Sequence, residues 1–212
     1  MTLFEHLSNF KRHSSEEKLT AAFEKLAPHF IYGGYIKVND AYRVYIRTIE
    51  FYYHDESDKP DAIKDPIMYH RNHTKKEIEG PYEEPYLPLM SIYMHSSGYD
   101  ITFENEEQEY RASALIREYS IYDVEQKEFL RLTSKGMFCD ERVLYLKYYL
   151  NGFSLNGKPG IVWVDDEHFP QSNLLQNARK GVYIIKDGKK TTEKDKRQWS
   201  FKLNEDIWLP TD

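Results

Sequence analysis

The chain has 212 residues, 18 tyrosines, a single cysteine and a formal net charge of −6. That length suits one domain with a core of its own, the lone Cys139 excludes an internal disulfide framework, and the acidic balance speaks against a surface built wholly for phosphate. No charged segment followed by an apolar run opens the chain, and no apolar stretch approaches a membrane span, so a soluble cytoplasmic protein is expected.

Near the N-terminus, Ser14 with Glu17 three residues on makes a capping box. Leu19, Ala22, Phe23 and Leu26 then form an apolar helical stripe, which Pro28 is expected to end. Gly33-Gly34 turns the chain into a strand over 35–38, and Asn39-Asp40 is the turn of a hairpin. The next run, AYRVYIRTIEFYY, alternates with the two-residue period of a strand. Unbroken alternation sets Tyr42, Val44, Ile46, Thr48, Glu50 and Tyr52 on one face, with Arg43, Tyr45, Arg47, Ile49, Phe51 and Tyr53 on the other. Glu50 is then a carboxylate on a face with no other formal charge. Such a placement is costly unless the group is paired, hydrogen-bonded or kept for chemistry.

Residues 54–88 are polar and broken by prolines, and a long irregular stretch of this kind inside a domain is usually functional. LMSIYMH, GYDITFENE and RASALIREYSIYD are three further strands, 123–150 has a helical pattern, and GIVWVDD, VYIIKDGKK and RQWSFKLN supply later strands. With no strict alternation of strand and helix, the expected fold is α+β: a single domain over 1–212, with flanking helices around a curved, mostly antiparallel sheet. Charge is uneven along it. Residues 179–197 hold eight basic and three acidic side chains, a local +5 that leaves −11 elsewhere, so this segment is either a phosphate-binding face or a solvated loop.

Chemistry is sparse at motif level. His70, His73 and Glu77 have helical ligand spacing but no apolar periodicity around them, so loop histidines are the favoured reading over a metal-dependent hydrolase. Cys139 lacks a nucleophile elbow, and neither a phosphate-binding glycine loop nor a dinucleotide fingerprint occurs. Arg117, in SALIREY, mirrors Glu50 as a charge inside an apolar strand. The two either neutralise each other as a structural pair or line one pocket.

The order of these features resembles the alkyladenine (3-methyladenine) DNA glycosylase family. Glu50-Phe51-Tyr52 closes a long strand, and His70, Arg71 and Asn72 follow in the irregular segment. SIYMHSSGYDITFEN surrounds a glycine, LIREY carries Arg117, and ARKGVY and RQWSFKL stand near the end. The resemblance implies that fold and a monofunctional glycosylase of base excision repair, which hydrolyses the N-glycosidic bond of an alkylated or deaminated purine. It implies Glu50 as general base on the attacking water, Arg117 holding water and carboxylate, and Tyr52, His70 and Tyr93 stacking on the flipped base. Arg71, Asn72, Arg179, Lys180 and Arg197 are the expected DNA contacts. A monomer acting on double-stranded DNA is expected, with no cofactor and no metal. Where the family inserts a tyrosine into the duplex, this chain reads His95-Ser96-Ser97-Gly98. The alternative is a non-catalytic binding module of the same fold that has lost duplex intercalation.

Overall fold

The computed structural model describes residues 1–68, 70–71, 85–95, 98–130, 161–166, 174–186 and 188–204. Two helices open it. Helix α1, Leu3–Ser8, is fixed by a reciprocal capping box between Thr2 and Glu5. Helix α2, Glu16–Ile31, is capped by Ser15, whose side chain accepts from the Lys18 amide, so the cap lies one residue beyond the expected Ser14. Glu16 and Glu17 then fall in the first turn, against the positive end of the helix. Pro28 does not end this helix. Its missing N–H removes only one bond, whereas one further turn buries Phe30 and Ile31 in the core.

Strands β1 (Gly34–Val38) and β2 (Tyr42–Asp55) form the expected hairpin, with Asn39 and Asp40 both at positive φ. They are followed by β3 (Ile92–His95), β4 (Gly98–Thr102) and β5 (Tyr110–Asp123). The pattern read as a helix from 123 breaks down at once. Asp123 Oδ1 accepts from the Glu125 and Gln126 amides, Lys127 turns at positive φ, and β6 (Glu128–Phe129) pairs back on β5. The rest of that expected helix, 131–150, lies outside the described residues. The later strands are β7 (Ile161–Asp165), β8 (Leu175–Asn177), β9 (Tyr183–Lys186), β10 (Lys189–Lys194) and β11 (Ser200–Lys202).

Among the described residues the order β3-β4-β5-β2-β1-β7 runs antiparallel throughout, with β11 joined to the second half of β2, and β9 and β10 forming a separate hairpin. On one edge β2 pairs with β1 over residues 42–44 and then with β11 over residues 48–50, and the sheet curls into an antiparallel half-barrel. The fold is therefore α+β. The two helices cover one face of the sheet, where Phe23 stacks on Phe51 at 4.4 Å amid Phe10, Phe30, Phe103 and Trp199. No described helix is long and apolar enough to cross a membrane.

One detail overturns the expected faces of β2. Its register against β5 shifts between Ile46 and Thr48 and again between Thr48 and Ile49. The first shift adds a residue to β2 at Arg47, and the second adds one to β5 at Arg117. Each extra residue reverses the inside–outside parity of its strand. Val44 and Ile46 thus join the helix-covered core before the shift, and Ile49, Phe51 and Tyr53 join it after. Glu50 and Tyr52 are carried to the opposite face. The carboxylate does not enter the main core.

Candidate active site

On that opposite face the register aligns one row of side chains across four strands. Asp100 on β4 is opposite Leu115 on β5, Leu115 is opposite Glu50 on β2, and Glu50 is opposite Ser200 on β11. A smaller apolar cluster of Tyr52, Met68, Leu115 and Val182 packs here. Beside it lies a cavity of about 350 Å³ whose wall includes Tyr52, Asp100, Leu115, Arg117, Lys180 and Lys190.

Glu50 is 1% exposed and receives three hydrogen bonds. Arg117 Nε donates to Oε2 at 2.7 Å, the Tyr52 hydroxyl donates to the same oxygen at 3.0 Å, and the Lys180 amide donates to Oε1 at 2.7 Å. Arg117 Nη2 also donates to the Lys180 carbonyl at 3.1 Å. Carboxylate, guanidinium and the backbone N–H and C=O of one residue, Lys180, therefore close a ring of charge-assisted contacts. Leu115 and Arg117 are two residues apart on β5 and so share a face, which aims Arg117 at Glu50. Burial alone would weaken the proton hold of Arg117, but the charge and hydrogen bonds of Glu50 and Tyr52 together outweigh it and raise the guanidinium above its ordinary value. Burial, aided by the same charge, raises the Tyr52 hydroxyl too, which keeps it a donor. Glu50 itself stands behind Tyr52 and Arg117, outside the cavity lining.

Arg179 anchors the segment that brings Lys180 here. Its side chain is fully buried, donates to Asp65, Asp195 and the Phe51 carbonyl, and lies 4.5 Å from the Tyr52 ring centre and 5.0 Å from that of Trp199. Its guanidinium is turned inward, away from any phosphate. Asp195 is raised by burial yet pulled down to about 2 by Arg197 and Arg179. Arg197 pairs with Asp195 and Asp65 and stacks at 4.3 Å over Trp199. After Arg179, Gly181 takes a φ of +76° that lets the chain turn back past Glu50.

His70 and Tyr93 are not on the cavity wall with Tyr52. Their rings touch each other with centres 5.0 Å apart. His70 is 1% exposed, with Nδ1 on the Glu104 carboxylate and Nε2 3.6 Å from Asp100. Burial opposes its charge, but Asp100 and Glu104 outweigh this and raise the imidazole to about 9. Glu104 also pairs with the buried Arg111, which reaches Glu56. Arg71 is half-buried and donates to the Pro66 carbonyl at 2.9 Å. Asn72, His73, Glu77, Cys139, Ser96 and Ser97 lie outside the described residues. Among the described residues no three His, Cys, Asp or Glu side chains are grouped to hold a metal ion.

The structure thus brings Glu50, Arg117, Tyr52 and Lys180 together, and sets His70 and Tyr93 behind Asp100. Reading the sequence missed Asp100, Asp65 and Asp195. The signal for Asp100 was present, since GYDITFE places one carboxylate inside an apolar strand as RTIEFYY does. No protein-family model matches the chain, and comparison with curated proteins finds no similar sequence.

Proposed function

We propose that the protein is a monofunctional N-glycosyl hydrolase that removes a damaged purine from double-stranded DNA, with Glu50 as general base. The observation that carries this reading is the ring of Glu50, Arg117 and the Lys180 backbone beside a cavity with an aromatic wall. Glu50 Oε1 has one protein donor, leaving a lone pair for a water. That water's oxygen attacks the anomeric carbon, its proton passes to Glu50, and the bond from sugar to base breaks with the electron pair leaving on the base. Arg117 orients carboxylate and water, Tyr52 and Leu115 supply apolar surface for the extruded base, and no cofactor is involved. Lys180 at the rim contacts the DNA backbone.

A second reading, a non-catalytic binding module, is favoured by one specific observation: Glu50 is 1% exposed and its carboxylate is screened from the cavity. The two readings part in a base-release assay on duplexes carrying hypoxanthine, ethenoadenine or 3-methyladenine. The hydrolase reading expects release by the wild type and a loss on the order of 10²–10⁴-fold in Glu50→Gln. Release that survives in Glu50→Gln removes Glu50 from the mechanism. No release from any of the three lesions, at low salt and high protein concentration, favours the binding module.

A further inference from the structure

The cavity beside Glu50 is uneven in charge. Arg117, Lys180 and Lys190 stand on its wall against one carboxylate, Asp100. Arg117 is already shared with Glu50, whereas among the described residues neither Lys180 nor Lys190 has a carboxylate partner. Lys190 reaches over the Tyr183 ring at 4.2 Å, which brings an ammonium and an aromatic face together at the mouth. Asp100 is 3% exposed and held from behind, where the Ser113 hydroxyl donates at 3.2 Å and His70 lies at 3.6 Å. Leu115, directly opposite Asp100, forms an apolar floor between the acidic and basic parts of the wall. The volume is at the small end of ligand pockets, which run from roughly 300 to 1,000 Å³, so it has room for one nucleotide and not for a length of strand.

We infer that this cavity takes an aminopurine nucleoside 5′-phosphate unit in one fixed direction, the ring amino group donating to Asp100 and the phosphate lying on Lys180 and Lys190. The inference rests on the reading that a purine enters here, and narrows it: a purine that keeps its amino group, such as 3-methyladenine, is preferred over hypoxanthine, whose ring carbonyl would face the carboxylate. A carboxylate rewards an N–H donor and repels a ring carbonyl, while two unmatched ammonium groups reward an anion. The same chemistry is offered by a free nucleotide and by one extruded from a strand.

The test is equilibrium binding by the full chain of adenosine 5′-monophosphate against purine riboside 5′-monophosphate, which lacks only the amino group. A parallel pair of duplexes carries an unpaired adenine or an unpaired purine. Adenine is expected to bind about tenfold more tightly than purine, the effect of one charge-assisted hydrogen bond. Asp100→Asn should abolish that preference, whereas Lys190→Ala should weaken both ligands several-fold and leave the preference intact. Discrimination between the free nucleotides identifies the free source, and discrimination only between the duplexes identifies the extruded one. Equal affinities in both pairs, or no binding in either, overturn the inference without recourse to a variant; a preference that survives in Asp100→Asn removes Asp100 from it. Aminopurine binding without base release leaves this site standing and removes the hydrolase.

Discussion

At the scale of single residues, two sets of charged groups flank the cavity, beside the Arg179 anchor with its aspartates. Glu50 and Arg117 satisfy each other with help from a hydroxyl and an amide, so neither is an unpaired buried charge of the kind that costs several kcal/mol. His70 belongs to the second set, between Glu104 and Asp100. Its folded value of about 9 stands above the ordinary 6.5. The protonated form is therefore favoured by folding, and its stabilisation is complete below pH 6.5 and lost as pH rises through 9. Urea unfolding at pH 6 and at pH 9.5 should differ in stability by on the order of 2–3 kcal/mol, with the alkaline protein weaker. In His70→Gln that difference should shrink to the background of the other groups. An equal pH dependence in both proteins would show that His70 is neutral in the fold.

At the scale of elements, the paired register shifts in β2 and β5 do the most to shape the site. Alternation along AYRVYIRTIEFYY was legible and predicted a strand that exists over Tyr42–Asp55. The face of Glu50 was not legible, because an extra residue at Arg47 leaves no mark in the hydrophobic pattern: the strand is buried on both faces from Val44 to Tyr53, apart from Arg47. Only the pairing with β5 determines where parity reverses. Close approach between elements acts similarly at Gly34, where an added Cβ would meet the Val164 carbonyl of β7 at 2.1 Å. Gly34→Ala must therefore push β1 and β7 apart and lose ladder bonds. A loss of on the order of 2 kcal/mol or more is expected in the urea midpoint, and an unchanged midpoint would mean that β7 does not pair with β1 as described.

At the scale of the whole molecule, the −6 net charge hides a division that folding sharpens. Of the basic side chains in 179–197, Arg179 is buried on two aspartates and Arg197 is tied to the same pair, so neither supplies a free cation to the surface. Lys186 pairs with Glu193, whereas Lys189, Lys190 and Lys194 stand exposed on the β9–β10 hairpin next to the cavity. If that hairpin lies along a DNA backbone, affinity must fall with salt, by a slope of about 0.9 per phosphate contact. Lys189→Ala with Lys194→Ala should reduce the slope by about 2 and leave lesion preference unchanged. A slope identical to the wild type would move the backbone contacts elsewhere.

The sequence by itself determined the local architecture: the amphipathic stripe of α2, the Asn39-Asp40 turn, the period-two strands and the anomaly of two charges inside apolar runs. Each of these depends on neighbours within a few residues, and side-chain periodicity and turn stereochemistry act over that range. Tertiary structure alone decided which face Glu50 occupies, that Arg179 is an anchor, and that Asp100 lines the cavity. Those outcomes depend on partners far along the chain, as in the Lys180 amide on Glu50 at a separation of 130 residues. The energy that selects them is the cost of leaving a buried charge unpaired, which is defined only once the sheet has closed around it.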